Sequence, residues 1–340
     1  MSDPAILRHV IGAIEPASAA HADAARRRVA AAGAPVLERL AGALGGAQHT
    51  ARPRSARRAI VVCAGDHGVG DPGVALGAAH PTAVAAHAIA DGSAALAQLA
   101  RASRTRAPIV LVDAGAREAA ALPTSAVRLG RGPSADLMAG PAMTVVDAAL
   151  SLEAGIALAV ALADGPAGPA GPAGDGDGDP GGLDLVAIGA IGVGADVASA
   201  ALLGAALGAP PTGLGDPVAE AAGARGAALA GASALELLAA FGGPETGVLA
   251  GLILAAASTH VPVVLDGYAT GAAALIAAAF APDAVGYLVA AHTGSFTHPR
   301  ILAHLGLHPV FDLGLGHGEG TGAAMALALI DHMAAVAGQG

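Results

Sequence analysis

Apolar residues along this 340-residue chain fall into short unbroken runs. "AIVVCAGDHG" (59–68), "PIVLVDAGA" (108–116), "LDLVAIGAIGVG" (183–194), "VPVVLDGYATG" (261–271), "AVGYLVAAHTG" (284–294) and "PVFDLGLGHGEG" (309–320) are β-branched and end in glycine or a small polar residue. Runs without polar alternation are strands covered on both faces. The Ala/Leu-rich stretches between them are long enough for helices. The pattern predicts an α/β protein with a mostly parallel sheet of about six strands. Ligands of such sheets bind beyond the carboxyl ends of the strands. Each glycine-rich run lies at that end, so the glycines are expected to converge on one site. Before residue 59 the chain shows only helical spacing, as in "AARRRVAAAGAPVLERLAGAL". "DGPAGPAGPAGDGDGDPGG" (164–182) has no apolar period and reads as a flexible surface insertion.

Composition narrows the classes. The chain is 54% hydrophobic with only 2% aromatic residues, and it carries 50 glycines. The most apolar stretches, "TGVLAGLILAAAS" and "GAAALIAAAFA", are shorter than the roughly 20 residues of a spanning helix. They flank a strand pattern that contains Asp266, so no membrane span is expected. One cysteine excludes an intramolecular disulfide framework, and the N-terminal residues lack a signal-peptide pattern. A cytoplasmic protein is expected. A formal charge of −10 argues against nucleic acid as partner.

Four stretches carry candidate chemistry. "AGDHG" places Asp66 and His67 at the end of the first strand, where Asp66 either bonds nearby backbone amides or positions a ligand or metal. "AIGAIGVGAD" (187–196) runs from strand through Gly189, Gly192 and Gly194 into a helix. It lacks the Lys-Ser/Thr of a P-loop, and Val197 stands where a dinucleotide fingerprint has its third glycine. Its helix-start amides still suit a phosphate. In "FGGPETG", Pro244 and Glu245 are ordinary helix-start residues, and structure accounts for both. His292, His298, His304, His308 and His317, with Asp312 and Glu319, raise the rival of a metal-dependent hydrolase, but their spacing fits no zinc pattern. No metal and no cofactor are expected. "LGHGEGTGAA" sets Glu319 between Gly318 and Gly320. A helix-start acid gains a few tenths to about one kcal/mol from the dipole. The flanking glycines suggest close approach to the backbone, and a carboxylate in an apolar mouth can take a proton from a weakly acidic N–H.

Taken together, "AGDHGV", "VDAGA", "GPAMT" with "SLEAGIALA", the "GGPETGVLAGLILAAAS" to "HVPVVLDGYAT" stretch and "LGHGEGTGAA" resemble the nicotinate-nucleotide:dimethylbenzimidazole phosphoribosyltransferase family, in the family's order. The resemblance implies a doubly wound parallel sheet (56–320) and a small helical domain built from both chain ends (1–55 and 321–340). It also implies a homodimer and transfer of phosphoribose from nicotinate mononucleotide to a benzimidazole-type base in assembly of the cobalamin nucleotide loop. Glu319 matches the family's catalytic base. Asp66, His67, Gly189, Gly192, Gly194, Asp266, His292, Gly318 and Gly320 are the implied substrate-binding positions. The family's loop "GEMGIGNTT" is "GAIGVGADV" here, so its acid is Ala190 and its Asn-Thr-Thr is Ala195-Asp196-Val197. The Ser and Tyr of the family's "GVSxYPxxVT" are lost in "GVALGAAHPTAV". Two readings follow: a phosphoribosyltransferase, or a paralogue that binds a related ligand with altered specificity or without turnover.

Overall fold

Every residue of the first strand is buried, as an unbroken run of Ala, Ile, Val and Cys requires once both faces are covered. The computed structural model describes residues 4–339 apart from 71, 103–106, 124, 131, 165–181 and 317. In it this strand, β1 (Arg58–Gly65), is joined by β2 (Ile109–Gly115), β3 (Val127–Arg128), β4 (Leu185–Ile191), β5 (Val263–Leu265) and β6 (Leu288–Ala290). All neighbours are parallel, in the order β3-β2-β1-β4-β5-β6. The sheet grows outward on one side of β1 and then on the other. The winding reverses between β1 and β4, the switch point at which doubly wound sheets hold ligands.

Helices α1 (Ala5–Gly12), α2 (Ala19–Val29) and α3 (Pro35–Ala47) precede β1, and α4 (Pro81–Asp91) and α5 (Ala95–Ala102) lead to β2. Helix α6 (Val145–Asp164) lies between β3 and β4. Between β4 and β5 come α7 (Ala195–Leu207), α8 (Pro217–Ala228), α9 (Ala234–Phe241) and α10 (Pro244–Ser258). Helix α11 (Tyr268–Phe280) joins β5 to β6, followed by α12 (His298–His304) and α13 (Thr321–Gln339). The two-residue period of β1 divides the core. Ala59, Val61 and Cys63 pack with residues of α1, α6, α7, α9, α10 and α11. Ile60, Val62 and Ala64 pack with residues of α2, α3, α4, α5 and α13.

The two chain ends therefore meet on one face. Arg58, wholly buried in β1, donates from both terminal nitrogens to the Asp331 carboxylate of α13, at 2.6 and 2.9 Å. Arg28 Nε of α2 donates to the Ala337 carbonyl at 2.8 Å. These contacts fix α13, and with it the loop that carries Glu319. Helices α6 and α13 are long and apolar enough to cross a membrane by length and composition, which the shorter runs noted in the sequence did not reveal. Each buries one face against the rest of the molecule.

One expectation needs correction. The run 309–320 is not a strand. Only Val310 and Phe311 bond to the chain just after β6, through a bridge to His292, and Leu313 is exposed. Asp312 and the glycines from 314 onward give it no apolar face to cover. The sixth strand is instead the two-residue β3, too short to show a pattern. The segment 164–182 falls almost wholly outside the described residues.

Candidate active site

Parallel strands send every following helix away from the same edge, so helix N-termini gather there. The first turns of α4, α7, α10 and α11, with the loop entering α13, line a cleft of about 220 Å³ over the β1/β4 switch point. Each such terminus acts as roughly half a positive charge. Among the described lining residues no side chain is cationic, so an anion bound here is held by amides and dipoles. Gly194 starts α7 at φ 81°, a left-handed value suited to glycine, and no side chain caps the helix. The first-turn amides of α7 are left for a ligand.

Glu319 sits on the opposite wall, half-buried, with neither hydrogen bond nor ion pair among the described residues. Its loop is held from three directions. The Gly318 carbonyl accepts from Ala190 N at 3.2 Å. Asp266, fully buried at the end of β5, accepts from Gly320 N at 2.8 Å and from Ala323 N at 2.7 Å. Gly189 lets the loop lie directly on β4, because a Cβ there would meet Gly320 N at 2.5 Å.

The β1 corner is built differently. Asp66, 1% exposed, accepts from Thr82 Oγ1 (2.5 Å), Val193 N (2.9 Å) and Arg117 N (2.8 Å), so one carboxylate ties the loops after β1, β2 and β4 together. Its neighbour His67 is fully buried, with Nε2 2.9 Å from Glu245 Oε1 and Nδ1 3.2 Å from Ser134 Oγ. Burial by itself disfavours both charges, yet their mutual attraction outweighs it. His67 is held above the usual imidazole range and Glu245 below the usual carboxylate range. Thr246 Oγ1 also donates to Glu245 Oε1, at 2.8 Å. Glu245 Oε2 is buried without a partner, and Glu245 lines the cleft. Burial, followed by Glu245, pushes the Cys63 thiol far up and keeps it neutral. Burial, followed by Asp196, pushes the Tyr268 phenol up in the same way.

Comparisons with known proteins place the chain in a family. A family model described as "Phosphoribosyltransferase" (DBI_PRT) matches residues 14–339. The nicotinate-nucleotide–dimethylbenzimidazole phosphoribosyltransferase of Roseiflexus castenholzii is 36% identical over 300 residues, covering 82% of this chain and 78% of that protein. The chain belongs to the nicotinate-nucleotide–dimethylbenzimidazole phosphoribosyltransferase family. The like-named protein of Desulforudis audaxviator is 32% identical over 98% of this chain and 95% of its own length. The crystal structure of CobT from Thermus thermophilus superposes with a TM-score of 0.75 at 32% identity, covering 93% of this chain and 96% of that one. The doubly wound fold is the one this family shares.

Within the family fold, the residues singled out from sequence separate into two groups. Glu319, Gly192 and Gly318 line the cleft. Asp66, His67, Asp266 and His292 do not; they lie behind it, buried. Gly189, Gly194 and Gly320 shape the backbone beside it. For Asp66 the amide-bonding alternative is the one observed. His292 comes within 3.6 Å of Asp266 Oδ1, but neither of its ring nitrogens has a hydrogen-bond partner. Its ring lies 6.1 Å from that of His298, which burial, then the neighbouring His292, pushes down to about 4.

His304, His308 and Asp312 are exposed, and His317 lies outside the described residues. Among the described residues the C-terminal histidines form no group of metal-spaced donors. Glu245 was read as a helix-start residue and is also a cleft acid. The available signal was its position: the single charge in an α10 that is otherwise apolar or small. Tyr268 and Thr82 also line the cleft, and neither stood out in the sequence.

Proposed function

We propose that this phosphoribosyltransferase moves phosphoribose from nicotinate mononucleotide to a benzimidazole-type base, with Glu319 as catalytic base. The nucleotide phosphate lies against the amides that open α7, and the acceptor lies between that loop and Glu319. Glu319 takes the azole N–H proton, which makes the other ring nitrogen a stronger nucleophile for attack at the anomeric carbon and leaves the product ring neutral. The bond to the pyridinium breaks from the opposite face, and its electron pair neutralises the ring as nicotinate leaves. Attack opposite the leaving group gives the α-linked ribazole 5'-phosphate. The leaving group is already cationic, so one base and correct positioning carry the step. A homodimer acting in cobalamin nucleotide-loop assembly belongs to the same proposal.

The observation that carries this reading is the cleft-facing Glu319 carboxylate, unpartnered among the described residues, on a loop that β4 and Asp266 immobilise. A second reading, a paralogue with altered specificity or no turnover, is supported by Ala190 in the cleft wall and Asp196 in the first turn of α7. Incubation with nicotinate mononucleotide and a panel of azoles and phenols, followed by product mass analysis, separates the two. Release of nicotinate with a ribazole phosphate supports the enzyme. No adduct with any acceptor supports the paralogue.

A further inference from the structure

The opposite edge of the sheet holds a cluster that the cleft chemistry does not use. His260 lies in the turn between α10 and β5, and Tyr287 directly precedes β6, so both stand at the amino edge of the strands. With His21 and His49 from the N-terminal helices they form a column of four rings. Centroids are 6.0 Å apart for His21 and His49, 4.1 Å for His49 and His260, and 6.1 Å for His260 and Tyr287. Glu15 completes the group: its Oε2 lies 3.8 Å from His260 Nε2, and its carbonyl accepts from Tyr287 Oη at 2.8 Å.

We propose that Glu15, His49 and His260 bind one divalent transition-metal ion that clamps the N-terminal helices to the α/β core. Their donor atoms all lie within 4.8 Å of one another, the one such group among the described residues. Nε2 of His49 and Nε2 of His260 are both buried atoms without a hydrogen-bond partner. A buried polar atom left unpaired is costly, and a shared ion would satisfy both. His49 (φ 50°) and His260 (φ 60°) each follow a helix C-terminus in the left-handed conformation that closes it, so the backbone holds both rings in place after α3 and α10.

Two imidazoles and one carboxylate suit a borderline ion such as Zn²⁺ rather than Mg²⁺ or Ca²⁺, which prefer oxygen. A tetrahedral ion at about 2.0–2.1 Å from each donor needs donors roughly 3.3 Å apart. The side chains of Glu15 and His260 are 68% and 37% exposed, so torsional adjustment can close the remaining distance. Water takes the fourth position. The ligands come from the α1–α2 loop, the end of α3 and the α10–β5 turn, so binding would hold three separate segments together. A metal here departs from the expectation drawn from the sequence.

The test titrates metal-free full-length protein with Zn²⁺ by calorimetry, with thermal unfolding and Co²⁺ absorption as companions. His49→Asn and His260→Asn remove the imidazoles while tolerating positive φ. Glu15→Gln alters an exposed side chain that should not disturb folding. His308→Asn, in an exposed histidine elsewhere, controls for adventitious binding. Wild type and His308→Asn are expected to take up one equivalent and unfold at a higher temperature with Zn²⁺. Each of the other three variants should weaken binding by more than about tenfold, since loss of an outer-shell partner alone costs that much. The proposal is overturned if wild type takes up no stoichiometric Zn²⁺, or if folded His49→Asn, His260→Asn and Glu15→Gln bind it as wild type does.

Discussion

The acids at the carboxyl edge of the sheet divide into a floor and a rim. On the floor, Asp66 and Asp266 are almost wholly buried, and their oxygens accept from the backbone amides of neighbouring loops. On the rim, Glu245 keeps Oε2 unpaired and Glu319 has no partner among the described residues. Both pairs sit on short strand-end segments between glycines or at helix starts. What separates them is where the donors are. An aspartate one residue past a strand reaches the amides of adjacent loops, whereas Glu319 meets no such donor among the described residues and Glu245, itself buried, spends Oε1 on the side chains of His67 and Thr246 and leaves Oε2 toward the cleft. The floor makes the site rigid; the rim faces the ligand.

That division is first challenged by removing a floor acid. Asp266→Ala strands the amides of Gly320 and Ala323 and frees the Glu319 loop. The expected cost is about 3 kcal/mol of stability, read by denaturant unfolding. Turnover should fall with KM for the nucleotide little changed. A full-rate, fully stable variant would show that Asp266 fastens nothing.

Next comes Glu245→Gln, which breaks the ion pair with His67 at an expected cost of about 2–3 kcal/mol. Its pH dependence has a definite sign. His67 is raised, so its share of the stabilisation is complete below about pH 6.5 and is lost as pH climbs through its folded value. Glu245 is lowered, so its share is present above about pH 4.3 and is lost as pH falls through its folded value. The wild-type thermal midpoint should therefore decline more steeply than the variant's on the alkaline side. Parallel profiles would mean that the pair is not ionised.

The smallest effect belongs to Asp196→Thr. Removing an acid from the first turn of α7 should tighten nicotinate mononucleotide binding by about fivefold, or roughly 1 kcal/mol, while costing the helix a few tenths. Calorimetry reads this directly. Unchanged affinity would place the phosphate away from α7.

The sequence made the strand ends legible because buried parallel strands need continuous apolar runs, and glycine punctuates their carboxyl ends. Runs 59–68, 108–116 and 183–194 became β1, β2 and β4; the glycines at the ends of β1 and β4 line the cleft as expected, and Gly115 at the end of β2 does not. The run 309–320 misled because apolar residues also cover a loop that meets the sheet at one bridge. Glu319 stood out because the glycines on either side weaken the helix start that would otherwise explain it. Glu245 did not, because Pro-Glu at a helix start already has a sufficient local reason, and its pairing with His67 spans 178 positions. The amide partners of Asp66 and Asp266 were not legible, because donors contributed by distant loops leave no trace in the nearby sequence.

The claim that Glu319 is the proton acceptor is tested most directly by single-turnover transfer with Glu319→Gln, using nicotinate mononucleotide and dimethylbenzimidazole. Glutamine keeps the shape and removes the base. The expected result is a loss of about 10²–10⁴-fold in the rate of ribazole phosphate formation, with nucleotide affinity and thermal midpoint close to wild type. A variant that transfers phosphoribose at the wild-type rate would contradict the account.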